Sequence, residues 1–409
     1  MSQIGKSERN TQNRVIRLFR DQLGYDYLGD WTERVGNSNI EENLLRGWLE
    51  GRGHSETQIA QAIEKLRRRA DKGGRDLYYV NQDVYQILRY GADVQVGAGE
   101  HHEKVFLIDW ADSEANDFAI AEEVTLKGGH ERRPDLVLYL NGIAVGVIEL
   151  KNSRVSIGDG IRQLNSNQRP EFNEWFFGTV QLVFAGSDSE GLSYGTTGTE
   201  EKYFLKWKED EDADEGYLLD KYLARICRKD RLIELMHDFV LFDGGIKKVP
   251  RVHQYFGIKA AQEHVRRREG GIIWHTQGSG KSIVMVLLAQ WILENNPKAR
   301  VAIVTDRDEL DKQIEGVLKN AGVVPENEKV RATSGKDLMA KLGKAKPRLI
   351  CSLVHKFGPR NEADFDGFIK EMRSGPAKTV GEVFVFVDEC HRTQSGKLNE
   401  AMKAVMPDA

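Results

Sequence analysis

With 409 residues the chain is long enough for two or three domains, and an apolar fraction of 40% supports real cores. No apolar run approaches the roughly 18 residues of a membrane span, the stretch from Met1 to Arg20 is too polar for a signal peptide, and three cysteines (Cys227, Cys351, Cys390) are too scattered for a disulfide framework or a zinc site. The setting expected is reducing and cytoplasmic, while a net charge of −4 neither advertises nor excludes nucleic acid.

Apolar residues at Val15, Ile16, Leu18, Phe19 and Leu23 predict a helix over 10–23, and helices are also expected over 39–50 and 56–69. The basic cluster Lys65, Arg67, Arg68, Arg69, Lys72 and Arg75 reads as a solvated helix face, as does Arg266 to Arg268. From 104 to 186 the pattern changes to short apolar runs bounded by Gly, Asn or Asp. Strands are predicted at 105–108, 136–140, 144–148 and 179–185, with a helix at 158–167 between the last two. The acid-rich stretch 208–215 reads as a solvated loop, and 218–240 as a helix bridging two domains. Beyond Val249, predicted strands at 271–274, 301–304, 348–351 and 383–387 alternate with helical stretches, the signature of a parallel sheet.

Two chemical constellations stand out. In the first, Asn141-Gly142 is a turn signal between two apolar runs, with Asp135 ahead of the first run and Glu149 and Lys151 at the end of the second. Strand alternation puts Glu149 and Lys151 on one face. Asp135 and Glu149 suit a hard divalent cation, Mg²⁺, for phosphodiester cleavage, with Lys151 steadying the attacking water or the developing charge. Register adds a condition. A plain two-residue loop pairs Leu140 with Ile143 and sets Asp135 opposite Ile148, facing away from Glu149. A shared metal therefore requires one extra residue, either a three-residue loop or a bulge near Gly146.

The second constellation is His275-Thr276-Gln277-Gly278-Ser279-Gly280-Lys281-Ser282, between a predicted strand and a predicted helix. Backbone N–H groups there cradle phosphates, Lys281 reaches the β and γ oxygens of ATP, and the Ser282 hydroxyl binds its Mg²⁺. His275 stands where the general motif has its first glycine. At the end of the run 383–387, Asp388 is the expected Mg²⁺ partner and Glu389 the base for the attacking water, while Cys390 reads as a small structural residue.

These strings carry a resemblance. Asp135, Glu149 and Lys151 look like the PD-(D/E)xK nuclease superfamily. Arg133-Pro134-Asp135-Leu136-Val137, Asn141-Gly142 and Ile148-Glu149-Leu150-Lys151-Asn152 resemble the motor (R) subunit of type I restriction enzymes, and Asn81 to Gly91 and Glu122-Glu123 fit that family's lead-in. Gln163 matches the first position of a Gln-x-x-x-Tyr motif of related nucleases, but Asn167 replaces the Tyr. Glu8 stands where such folds place an acidic helix residue. The loop around Lys281 resembles motif I of superfamily 2 helicases, and Asp388-Glu389-Cys390-His391 resembles a DEAD/DEAH-box motif II. By the same resemblance Gln254 reads adenine, while Val304 to Arg307 and Thr333 to Gly335 grip the nucleic-acid backbone.

The resemblance implies an α/β chain: a PD-(D/E)xK nuclease-like mixed sheet flanked by helices at 1–207, an acidic linker and bridging helix at 208–248, and a RecA-like parallel-sheet domain at 249–409. It implies an endonuclease and ATP-dependent translocase of double-stranded DNA, working with methyltransferase and specificity subunits. A complete motor of this kind has a second RecA-like domain, so the chain is expected to be a fragment with half a motor that does not turn over ATP at a useful rate. Two alternatives stay open: a repair helicase-nuclease of another system, and an ATP-gated DNA-binding module whose nuclease fold is inactive.

Overall fold

The computed structural model describes residues 8–95, 102–209, 216–276, 278–305, 308–320, 324–325, 327–353 and 380–388. Of the expected site residues, Gln277 and Glu389 lie outside these, as do Asp306, Arg307, Cys390 and His391. The chain divides into two compact units, Met1–Val252 and His253–Ala409. Among the described residues no helix is long and apolar enough to cross a membrane.

The first unit opens with helix α1 (Glu8–Arg17), which continues into a π-helical turn (Leu18–Gln22) where the sequence predicts one plain helix. Strand β1 (Asp26–Asp30) is followed by α2 (Glu42–Gly51), α3 (Glu56–Ala70) and α4 (Leu77–Tyr90). Ser55 and Gln58 form a reciprocal capping box that fixes the start of α3. A small hairpin, β2 (Ala92–Gln95) and β3 (His102–Val105), comes next. The strand expected at 105–108 does not form: only Val105 is paired, and the apolar run instead packs Leu107 and Ile108 into the core from a loop.

The main sheet follows: β4 (Phe118–Glu122), β5 (Leu136–Leu140), β6 (Ile143–Lys151), β7 (Leu182–Ser187), β8 (Gly191–Gly195) and β9 (Leu205–Lys206). With β1 these make seven strands in the order β1-β4-β5-β6-β7-β8-β9. Strands β4, β5 and β6 are antiparallel, and β6 runs parallel to β7. The parallel step needs a crossover, supplied by α5 (Ile157–Asn167), whose first turn is capped by Ser156. Ile157, Ile161 and Leu164 of α5 bury against Val147, Val183 and Ala185 of the sheet. All of β5, and β6 as far as Leu150, is buried, each large aliphatic contributing about 1.5–3 kcal/mol.

Two shorter helices, α6 (Leu218–Ile226) and α7 (Lys229–Asp238), replace the single helix expected over 218–240. The chain turns extended at Arg228, and the Tyr25 hydroxyl donates to the Cys227 carbonyl that a continuous helix would use. Hairpin β10 (Leu241–Asp243) and β11 (Ile246–Lys248) closes the unit.

The second unit begins with α8 (Val252–Arg266) and α9 (Lys281–Asn295). Its sheet comprises β12 (Ala299–Thr305), β13 (Arg331–Ala332), β14 (Leu349–Leu353) and β15 (Glu382–Val387), all parallel, in the order β13-β14-β12-β15. Helices α10 (Asp308–Asn320) and α11 (Gly335–Leu342) lie between strands in the chain. The expected strand at 271–274 is not formed: Ile272 is 77% and Trp274 83% exposed, and no ladder joins them among the described residues. An apolar run signals a need for burial, but a strand also needs a free edge in register, which periodicity does not supply.

Candidate active site

The hairpin of β5 and β6 is where the register condition is decided. Asn141 (φ 51°) and Gly142 (φ 81°) form a two-residue turn of the type that two positive φ angles require. The turn is locked in place. The buried Asn141 side chain donates to Leu107 O and Asn116 Oδ1 and accepts from Asp117 N, while Gly142 sits so close to Glu41 O that a Cβ would lie 2.8 Å from it. From this turn Leu140 pairs with Ile143 and Tyr139 with Ala144, but Leu138 pairs with Gly146. Val145 is thus the extra residue of a bulge, next to Gly146 as the spacing demands. Past it Leu136 faces Ile148, so Asp135 comes level with Glu149.

Asp135 Oδ2 accepts the Leu150 N–H at 2.6 Å, and the register sets the Asp135 carboxyl beside that of Glu149. Glu149 is fully buried. Lys151 Nζ stands 3.7 Å from Glu149 Oε2 and 3.5 Å from Glu8 Oε1, so the structure brings Glu8, Asp135, Glu149 and Lys151 together at one end of the sheet. Glu8 arrives there because α1 is pinned from outside the hairpin. Arg14 bonds Asp188 at 2.5 Å and Asp220 at 2.9 Å and stacks over Tyr217 at 3.7 Å. Gln12 donates to Glu122 Oε2, Glu123 Oε1 and the carbonyl of Asp135.

The electrostatics follow from burial. Burial pushes the Asp135 carboxyl up to about 6, opposed by the Leu150 N–H and by Lys151. Burial, and then the neighbouring Asp135, raise Glu149 well above the usual carboxylate range. Two like charges this close cannot both ionise cheaply without a cation between them. Glu149 Oε2 has no hydrogen-bond partner. An orphaned, buried carboxylate oxygen beside a second carboxylate is a donor set that fits a hard divalent cation. No three His, Cys, Asp or Glu among the described residues could hold an ion alone, but Mg²⁺ characteristically takes one or two carboxylates and completes its shell with water and substrate oxygens.

Gln163 is half-buried on α5, and among the described residues no hydrogen bond joins it to the acids. The residue that does reach them is Asn167, one turn further. Its Nδ2 donates to Glu149 Oε1 at 3.3 Å from a fully buried position. Sequence reasoning gave Asn167 no role because a Tyr was expected there. The available signal was its place ten residues after Ile157 on the helix capped by Ser156, which sets it on the buried face with Ile157, Ile161 and Leu164.

In the second unit the loop before α9 has Gly278 (φ 77°) and Gly280 (φ 84°) in the left-handed region, and Ser279 Oγ donates to Thr276 O at 2.7 Å. Helix α9 starts at Lys281 with no side chain capping it; Ile283 N already donates to Gly280 O at 3.0 Å, while the N–H groups of Lys281 and Ser282 meet no acceptor among the described residues. Lys281 and Ser282 are half-buried in its first turn. Gln254, on α8, is buried and donates to the Ser279 and Gly280 carbonyls at 3.0 and 3.1 Å. His275 packs edge to face on His253 and lies against Gly257, where a Cβ would stand 3.1 Å from its Nε2. Asp388 follows β15, its N–H donating to Val304 O at 3.0 Å. Thr305 ends β12, and Ser334 caps α11 by accepting from Asp337 N.

A mixed-sheet unit with two neighbouring acids at one end of its sheet is followed in the chain by a parallel-sheet unit with a glycine-rich loop at a helix start, an α/β chain in two units. Residues 5–202 match the family described as type I restriction enzyme R protein N terminus, and residues 253–409 match the SWI2/SNF2 ATPase family. The putative type I restriction enzyme MjaIXP endonuclease subunit of Methanocaldococcus jannaschii is 26% identical over 367 residues, covering 80% of this chain and 34% of that protein. The MjaVIIIP endonuclease subunit of the same organism is 27% identical over 384 residues, covering 86% and 36%. The type I restriction enzyme HindI endonuclease subunit of Haemophilus influenzae is 30% identical over 282 residues, covering 62% and 26%. The chain thus joins a type I restriction R-protein N-terminal region to an SWI2/SNF2-type ATPase domain and is related to the endonuclease subunits of type I restriction enzymes, as its motifs led us to expect. It spans about a third of the length of the curated relatives it matches.

Proposed function

We propose that this chain carries the Mg²⁺-dependent DNA endonuclease site of a type I restriction enzyme, in a PD-(D/E)xK-type domain, together with ATP-binding residues of the motor that moves double-stranded DNA past it. The observation that supports this most is the Val145 bulge, which sets Asp135 level with Glu149 and beside Lys151 in an otherwise apolar hairpin. Asp135 and Glu149 would hold the ion, and an ion bound there supplies Lewis-acid polarisation of the scissile phosphate. Asp135 is kept in place by the Leu150 N–H, and Glu149 by Asn167. Lys151 sets its Nζ beside the acids, where it offsets charge developing on the phosphate or orients the attacking water. Glu8 orients Lys151 from α1, and Gln163 lines the same helix as Asn167.

In the ATPase unit, Lys281 takes the role of phosphate ligand, the N–H groups from Thr276 to Ser282 cradle the phosphates, and Ser282 and Asp388 hold the nucleotide's Mg²⁺. Gln254 reads the adenine and Glu389 activates the hydrolytic water. The partners are duplex DNA and the methyltransferase and specificity subunits of a cytoplasmic restriction complex.

Plasmid cleavage by the full-length subunit with those partners tests the reading. Glu149→Ala is expected to abolish Mg²⁺-dependent cutting while ATP hydrolysis persists, and Lys281→Ala to abolish both. Cutting that survives Glu149→Ala would leave the metal-nuclease assignment without support.

A further inference from the structure

The acids at the end of β5 and β6 pose an electrostatic problem. Glu8, Glu122, Glu123, Asp135 and Glu149 crowd one end of the sheet, where Lys151, Arg9 and Arg133 are the cations that meet them. A polyanionic duplex approaching that end is repelled unless further cations wait at the rim. The basic cluster around α3 does not serve. Arg67 pairs with Glu42, Arg68 with Glu64, Arg69 and Arg75 with Asp83, and Lys72 with Glu174, so its charge is largely spent within the fold.

The loop leading into Asp135 is different. Leu126 and Arg132 bridge one another through hydrogen bonds of 2.8 and 3.2 Å, making a tight excursion that holds Lys127, Gly128, Gly129, His130 and Glu131. Exposed glycine pairs usually mark a mobile tip, but this pair lies directly on the segment after α5. A Cβ on Gly128 would stand 2.5 Å from Phe172 O, and one on Gly129 2.3 Å from Glu171 O. Gly129 N donates to Phe172 O, and the buried Asn173 donates Nδ2 to His130 O at 3.2 Å. Asn173 N in turn donates to the carbonyl of Asn167, the residue that holds Glu149. The loop is therefore fixed to the same framework as the acids. Lys127 and Arg169 are exposed on it and on the segment beneath, and Arg132 stacks its guanidinium over Phe172 at 3.9 Å with no carboxylate partner among the described residues. Glu131 and Glu171 are the acids on this rim.

We propose that Lys127, Arg132 and Arg169 form a pre-organised grip for the phosphate backbone of duplex DNA, setting it against the acids. Arg132 lies three residues before Asp135, a reach of at most about 10 Å, or roughly three phosphates along one strand. The assignment depends on the nuclease reading only for what the bound duplex then undergoes.

The test is arginine- and lysine-directed chemical footprinting of the 409-residue chain, with and without a 30-bp duplex in EDTA, read by mass spectrometry. Arg132, Arg169 and Lys127 are expected to be protected several-fold, and Arg67 to Arg69 unchanged. The Lys127→Ala/Arg132→Ala/Arg169→Ala variant should lower the slope of log affinity against log salt by about 2–3, roughly one for each phosphate contact. An Arg67→Ala/Arg68→Ala/Arg69→Ala control should not. No protection of the rim, or equal loss in both triple variants, overturns the proposal. Should the rim triple fold poorly, the single variants Lys127→Ala and Arg169→Ala, both at exposed side chains, carry the same test at a slope change of about 1 each. Rim protection in a protein that never cuts DNA would keep the grip and sink the nuclease reading instead.

Discussion

Asn167 offers the sharpest handle on the acid pair, because its hydrogen bond is the one that fixes Glu149. The perturbation is Asn167→Ala. It removes the Nδ2 donor 3.3 Å from Glu149 Oε1 and leaves both oxygens of a fully buried carboxylate without a hydrogen-bond partner, with only the Lys151 ammonium 3.7 Å away. A hydrogen bond to a charged acceptor contributes about 1.5–3 kcal/mol, and a bond this long belongs at the lower end. About 1.5 kcal/mol is close to a tenfold change in an equilibrium constant. Residues that orient a metal ligand typically change metal affinity by about 10–100-fold when lost. Titration calorimetry with Mn²⁺ in place of Mg²⁺ is therefore expected to show binding weakened by about tenfold to thirtyfold. Asn167→Leu separates orientation from packing, since it keeps the volume and lacks the donor. It should bind as weakly as the Ala variant. If both variants bind Mn²⁺ within about twofold of wild type, Asn167 does not position Glu149; if Leu alone restores affinity, the effect was a cavity.

Two further outcomes follow from the same hairpin. In the metal-free protein the Asp135 carboxyl titrates near 6 rather than at its ordinary 3.8, so the folded state binds its proton more tightly than the unfolded chain does. The stability this contributes is complete below about 3.8 and is lost as pH rises through about 6, a shift of about two units or roughly 3 kcal/mol. Urea melts in EDTA should therefore show Asp135→Asn gaining about 2 kcal/mol on wild type between pH 4.5 and 7.5, and Mg²⁺ should stabilise wild type alone; parallel pH profiles would contradict the assigned burial. Gly146→Ala tests the bulge, because its Cβ would stand 2.9 Å from Leu138 Cδ1. Overpacking there should cost about 1–3 kcal/mol and be relieved by adding Leu138→Ala, whereas a neutral Gly146→Ala would mean the bulge is not tightly packed.

The sequence carried the central hairpin almost to the atom, because its information is local. Asn141-Gly142 fixes the turn, alternation fixes the faces, and the mismatch between turn and faces demands an inserted residue that Val145 supplies. What pairing arithmetic could not reach was everything held by side chains distant in sequence. Helix α1 brings Glu8 to Lys151 because Arg14 finds Asp188 and Asp220 and Gln12 finds Glu122 and Glu123, partners that no periodicity announces. The helix break at Cys227 depends on a hydroxyl from Tyr25. The exposed run at 271–274 misled for the complementary reason: its composition fits a buried strand, and composition does not choose which edge accepts it.

The same contrast explains why Asn167 was invisible and Gln163 was not. A motif transfers a residue type at a spacing, so Gln163 matched a pattern while the neighbouring position appeared empty. Physically the requirement at that position is a donor reaching a buried carboxylate oxygen from the end of α5, and an amide satisfies it as well as a phenol does. Because Asn167 also gives its carbonyl to Asn173, which holds the glycine loop ahead of Asp135, one residue ties the orientation of Glu149 to the placement of the cationic rim. A substitution that disturbs the Asn167 backbone is thus expected to shift both the acids and the rim, whereas one confined to its side chain acts on Glu149 alone.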